Sequence, residues 1–215
     1  MKALTPNRRL VLLTAPSITL AACSNIIGPL PSSQMYSLNA PADRPDSGPK
    51  VGWSLAIVKP ETSELLDTNR IALASSGSEF DYYANAVWTD HLPDLIQTRL
   101  LSAFEASGRI SVVVREEDGF RGDYKLLTDI RDFEARYPAS KTEPPTVAVT
   151  IVAHAVDIRS RKVAESTTAA LTQACTANNV NSVVEAFDIA LDKTMTRIVD
   201  WAFNLPAPET LPVPG

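Results

Sequence analysis

The sequence predicts an α+β fold: a mostly antiparallel sheet with two amphipathic helices packed on one of its faces, a two-layer sandwich. Three observations predict it. Several segments carry apolar residues at every second position, as half-buried strands do. Two longer segments, 90–107 and 182–204, carry them at i, i+3 and i+4, as helices covering a sheet do. Their order is strands, helix, four strands, helix, which segregates helices from strands. At 215 residues, 45% hydrophobic and 21% charged, the chain is long enough for one domain with a sizeable core.

The first element is not part of that domain. "MKALTPNRR" carries Lys2, Arg8 and Arg9 and no acidic residue, and an apolar run from Leu10 to Leu20 follows. A basic start, an apolar stretch of about eleven residues and small residues at a cut site make a secretory signal. A membrane-spanning helix needs roughly 20 apolar residues, and Pro16 interrupts this run. Leu20-Ala21-Ala22-Cys23 resembles the lipobox of bacterial lipoproteins. That resemblance implies a diacylglycerol thioether on Cys23, cleavage between Ala22 and Cys23, and further acylation, palmitate being typical, at the new N-terminus. An ordinary export signal with a chance cysteine is the alternative. Losing residues 1–22 moves the net charge from −5 to −8. Such an acidic chain has no electrostatic reason to bind nucleic acid. Ser24, rather than Asp, follows the cysteine. By the sorting rule of enteric bacteria this favours the outer over the inner membrane, with the domain in the cell envelope facing the periplasm.

Residues 23–49, rich in Pro, Ser and Gly, read as a lipidated N-terminus and flexible tether with a short strand near 34–39. The domain spans 50–204. Val51, Trp53, Leu55 and Ile57 alternate through a strand over 51–61, and "NRIALASSGSEFDYYANAVWT" reads as two more short strands or a hairpin, turned at Ser76-Gly77. Asp90 is a plausible N-cap and Gly108 a C-terminal stop for the first helix. Its stripe is Leu92, Leu95, Ile96, Leu100, Ala103 and Phe104, with Asp94, Gln97, Arg99 and Glu105 largely away from it. Strands follow at 109–116, from Tyr124, and at 146–158, the last apolar on both faces and so central. "KVAESTTAALTQA" is polar enough for an edge, after a tight turn at Ser160-Arg161. Ser182 and Glu185 fit a capping box for the last helix, and 205–215 is a disordered, proline-rich tail.

The order and the residues together resemble the ABC-type transport auxiliary lipoproteins, the paraquat-inducible protein C-like family. The carrying segment is "FDYYANAVWTDHLPDLIQTRLLSAFEASGRISVVV", 80–114: aromatics on a strand, a Trp, Leu-Pro one turn into an amphipathic helix, then a strand. "GDYKLLTDIRDFE", 122–134, the "MYSL" strand and the lipobox also fit. The resemblance implies a non-catalytic lipoprotein working with an MCE-domain protein and an ABC permease and ATPase, thought to move phospholipids or other hydrophobic molecules between membranes. A structural lipoprotein that assists outer-membrane assembly without a transporter is the alternative.

Read residue by residue, the sequence points away from catalysis, cofactors and metals. Cys23 is taken by lipid, leaving Cys175 without an intramolecular partner and best read as a small buried hydrophobe. His91 and His154 lack companion ligands for zinc, and His154 reads as packed or hydrogen-bonded. Glu116-Glu117-Asp118 with Asp123 lacks the alternating oxygens of a calcium loop and reads as a solvated turn. Tyr82, Tyr83 and Trp88 form either a core edge or an aromatic contact surface for a partner or lipid, and Trp53 and Trp201 raise the same question. The oligomeric state stays open, homo-oligomers included.

Overall fold

The structure, a computed structural model, describes residues 32–39, 48–75, 79–119, 122–140 and 142–208. The signal segment, Ala22, Cys23, the turn at Ser76-Gly77 and residues 209–215 lie outside the described residues, as do 40–47 of the tether. From Ser33 onward the chain forms one compact unit.

The organising element is β7 (Tyr124–Arg136), where Tyr124, Leu126, Ile130, Phe133 and Ala135 are buried. Along one edge it pairs antiparallel with β8 (Thr146–Asp157), from Tyr124↔Asp157 to Arg136↔Thr146. β8 pairs antiparallel with β9 (Lys162–Ala174) over its full length. Along the other edge three short strands pair with β7 in turn, all parallel to it. These are β2 (Leu55–Ile57), β3 (Glu61–Thr62) and β4 (Arg70–Ser75). β4 turns back antiparallel onto β5 (Glu79–Trp88), which carries β1 (Gln34–Tyr36) parallel on its far side. β6 (Val113–Arg115) pairs parallel with β2.

The sheet is therefore mixed, and five of its eight strand pairings are parallel. This corrects the mostly antiparallel arrangement expected from sequence. Parallel neighbours need a long crossover, and α1 (Leu92–Ser107) with the segment after it supplies one between β2–β4 and β7. The strand expected over 51–61 is split. Val51 makes a lone bridge to Ile110, and Pro60, unable to donate to a ladder, separates β2 from β3. Leu55, Ala56 and Ile57 are all buried, and β2 is paired along both edges, with β6 and with β7.

Two helices cover the sheet. α2 (Val180–Ala202) lies along β8 and β9, α1 touches β2 and β6, and the helices touch each other. Gly108 ends α1 in the left-handed region (φ 64°), its N–H donating to the Glu105 carbonyl, as its lack of a Cβ allows. The N-caps differ from the sequence reading. His91, not Asp90, holds the cap position of α1, and the Asp90 carboxylate accepts from the His91 N–H. α2 starts earlier than Ser182: the Asn179 side chain accepts from the Ser182 N–H at 2.9 Å. The Ser182 hydroxyl turns outward from the helix and accepts from the N–H groups of Thr176 and Ala177. Asn179→Ala is expected to cost about 1 kcal/mol in urea denaturation, with Ser182→Ala costing a comparable amount through the preceding loop.

The core carries two aromatic groups. Phe133 and Phe187 stack at 4.5 Å, with Trp88 edge-on to both at 6.0 and 5.4 Å. Trp53 meets Tyr124 edge-on at 5.5 Å, and Phe203 packs against Trp53 and Phe104 under the Arg109 guanidinium. The second group draws the C-terminal segment in. Leu205 is buried, and the Tyr124 hydroxyl donates to the Pro206 carbonyl at 2.8 Å. The domain thus runs past the boundary at 204, and 205–206 do not belong to a free tail. At the other terminus β1 is a sheet strand, Leu38 is buried, and Asn39 donates from backbone and side chain to Asp188 on α2. The short strand near 34–39 is therefore part of the domain rather than of a free tether.

Candidate functional site

The three aromatics singled out from sequence do not form one surface. Trp88 is 1% exposed at the centre of the first aromatic group. That residue is core, which corrects its reading as a contact. Tyr82 and Tyr83 are half-buried and, as neighbours on a strand, point to opposite faces. Tyr82 stands edge-on to Phe80 at 5.8 Å, under the Arg70 guanidinium, and donates to the Leu65 carbonyl at 2.8 Å. Tyr83 shares a hydrogen bond with the Tyr137 hydroxyl at 2.9 Å, and Tyr137 donates on to Asn178 at 3.0 Å. Burial and this bond push the Tyr83 phenol far above its usual range, so it stays a neutral donor. Trp201 packs partly buried against the core, and Trp53 is inside it.

Beside Tyr137, the adjoining ends of β4, β5 and β7 border a groove of about 460 Å³. It is lined by Leu73, Ser75, Glu79, Phe80, Tyr137 and Asn178, with Asp81 at its side. A ring face, a phenol, an amide and carboxylates make it a shallow recognition surface for hydrogen-bonding and apolar groups together. β5 reaches it past a long bulge: Tyr82 pairs with Ala72 but Val87 with Arg70, so four residues of β5 face one of β4. Asn85, at the bulge, sits at φ 57°, a conformation Asn tolerates better than most residues.

The space between sheet and helices is filled by Ile96, Leu100, Phe104, Phe187 and Leu191, all fully buried. Sequence placed Gln97 and Arg99 away from the covered stripe of α1, but both are buried. Gln97 Nε2 donates to the Ile57 carbonyl and the Glu117 carboxylate. Arg99 faces α2, where burial lowers the pKa of its guanidinium while Asp188 and Asp192 oppose that shift.

Of the titratable groups singled out from sequence, both histidines, Glu116, Glu117 and Asp123 have side-chain partners. His154 Nδ1 bonds the Ser166 hydroxyl at 2.6 Å across β8 and β9, and His91 faces Asp67 on the surface. Cys175 is buried with a free thiol, whose pKa burial raises. Glu116 pairs with Lys125, Glu117 receives Gln97, and Asp123 accepts from Ser54 and Arg159. Among the described residues no group of three or more His, Cys, Asp or Glu is placed to hold a metal ion. None of the described helices is long and apolar enough to cross a membrane. On the outer face, Glu134 is buried, and burial raises its carboxyl pKa more than Arg136 and the Phe133 N–H lower it. Between its unfolded value near 4.3 and the raised folded value, the folded chain binds more protons, so its contribution favours folding at low pH and is lost as pH rises through the folded pKa. The melting temperature of Glu134→Gln relative to wild type is expected to rise from pH 4 to pH 7.

The sequence profile of the family described as "ABC-type transport auxiliary lipoprotein component" matches residues 36–199. The chain belongs to this family. The match begins inside β1 and ends in α2, so it covers the sheet, both helices and the groove. An uncharacterised protein of Bradyrhizobium diazoefficiens is 28% identical over 166 residues, covering 77% of this chain and 44% of the relative. The chain thus spans less than half that relative's length. A crystal structure of a Xanthomonas campestris protein superposes with a TM-score of 0.73 at 27% identity, over 79% of this chain and 94% of that one. A second, uncharacterised structure shares the fold at a TM-score of 0.63 and 13% identity, over 80% of this chain and 99% of that one.

Proposed function

We propose that this family member is a lipid-anchored, periplasm-facing accessory subunit of an MCE-type ABC transport system for phospholipids or other hydrophobic molecules. It works through protein contact and not as an enzyme, with its anchor in the outer membrane. The observation that carries this reading is the family match over residues 36–199, joined to the lipobox ending at Cys23. The site chemistry agrees with it. The groove offers groups suited to contact with a partner: a ring face, a phenol, an amide and carboxylates.

The leash is shorter than residues 23–49 suggest, because β1 is built into the sheet. Ser24 to Ser33 can reach at most about 36 Å even fully extended. A compact domain of this size is about 40 Å across. A partner touched by the far side of the domain must therefore lie within about 75 Å of the anchoring membrane, the leash plus one domain diameter.

The test is in-cell crosslinking of the protein tagged at its C-terminus, followed by purification and mass spectrometry. Recovery of an MCE-domain protein with ABC permease and ATPase subunits, weakened in Cys23→Ala, is the expected result. Recovery of outer-membrane barrel components instead would replace this function with envelope assembly, and turnover of a substrate by the purified domain would overturn its non-catalytic part.

A further inference from the structure

Among the described strands β9 is the long one with an unpaired edge. It bonds β8 on one side, while from Lys162 to Ala174, about 43 Å at 3.3 Å per residue, its other side makes no main-chain ladder with any described strand, although the Ala170 and Ala174 carbonyls accept from the side chains of Arg197 and Gln173. In an antiparallel ladder alternate residues of an edge strand turn both N–H and C=O away from their neighbour. Folded proteins usually blunt such an edge with proline, charge or a bulge, because it is a ready template for another strand. Here those devices are confined to the start. Lys162 and Glu165 are its charged residues, and the bulge falls at Ala164, where Ala155 pairs with Glu165 and Val156 with Val163. From Ser166 to Ala174 there is neither proline nor charge, and Ser166, Thr168, Ala170, Thr172 and Ala174 are all exposed.

Positive charge from α2 lies along the same edge. The Arg197 guanidinium donates to the Ala170 carbonyl at 3.1 Å, and the Lys193 ammonium to the Gln173 side chain at 3.1 Å. Both side chains are exposed, in a chain whose net charge is −5. We propose that β9 is a docking edge that takes an extended, carboxylate-bearing segment of a partner protein as an added strand. Main-chain bonds would supply the affinity and Arg197 and Lys193 the selection. A second copy of this chain fits less well. A twofold axis near the middle of β9 would bring Arg197 towards its own symmetry mate, and like charges facing across strands oppose pairing.

The experiment uses the full mature protein in detergent micelles and two fluorescein-labelled peptides, one alternating Val and Thr with Glu, the other with Lys in place of Glu. Expected are at least about tenfold tighter binding of the Glu peptide and slowed amide exchange centred on β9. Lys193→Glu with Arg197→Glu should abolish or invert the preference. Ala170→Pro should abolish binding while leaving the melting temperature within a few degrees, because the carbonyl engaged by Arg197 marks an outward-facing residue. Should that variant unfold, the charge-reversed pair still decides. Equal binding of the two peptides, unchanged exchange in β9, or a dimer in sedimentation that already protects β9 without peptide would each overturn the proposal.

Discussion

Trp88→Ala is expected to lower the stability of the domain by about 3–5 kcal/mol, the range for removing a large aromatic side chain from a packed core. Trp88 is 1% exposed and stands edge-on to Phe133 and Phe187, so its removal leaves a cavity bounded by a stacked pair held between β7 and α2. For a domain of this size such a loss corresponds to a fall in melting temperature of roughly 6–20 °C. Tyr82→Ala is the control. Tyr82 is half-buried, with a ring under Arg70 and a bond to a surface loop, and its loss should cost about 1–2 kcal/mol. Calorimetry on the two variants separates core from surface: equal losses would mean that Trp88 is not the centre of the core.

Cys23→Ala is expected to move the protein from the membrane fraction to the soluble fraction without changing its fold. Two or three acyl chains hold a protein stably, each buried methylene contributing about 0.8 kcal/mol, so removing the acylated sulfur abolishes anchoring rather than weakening it. The folded unit begins at Ser33, so the melting temperature of the isolated domain should be unchanged. The measurement is fractionation with a carbonate wash, together with intact mass. A wild-type mass lacking the lipid increment would show that residues 1–23 act as an ordinary export signal, and retention of Cys23→Ala on the membrane would show that something other than the Cys23 lipid holds the protein there. The two variants test different things: one the packing that makes the domain, the other the chemistry that places it.

Much of this protein is legible residue by residue. The strand at 34–36, the two long helices, the hairpin of β4 and β5, the buried Cys175 and the position of β9 at an edge all follow from local signals. Apolar spacing reports which residues face an apolar neighbour, Gly108 needs its left-handed conformation, and a polar strand of small residues cannot sit in the middle of a core. The family resemblance is legible for the same reason, since the order and spacing of core positions survive where individual residues do not.

The site is less legible, and the misses share one cause. Tyr82, Tyr83 and Trp88 are near neighbours in sequence, but strand alternation and the long bulge of β5 send them to three places. Gln97 and Arg99 look solvent-facing on α1 because a helical stripe is read against a single partner. The fold gives α1 three: the sheet, α2 and the turn at Glu116–Asp118. Strand direction was out of reach altogether. Period-two spacing says that a segment is a strand and which side is buried, and it carries no information about which distant strand lies beside it or which way that strand runs. That β2, β3 and β4 align in parallel along one edge of β7, and that the groove opens where β4, β5 and β7 end together, is decided by a crossover through α1 that buries the two-sided apolar surface of β2. Local chemistry settles what each segment is, and only the packing of segments far apart in the chain settles what each one meets.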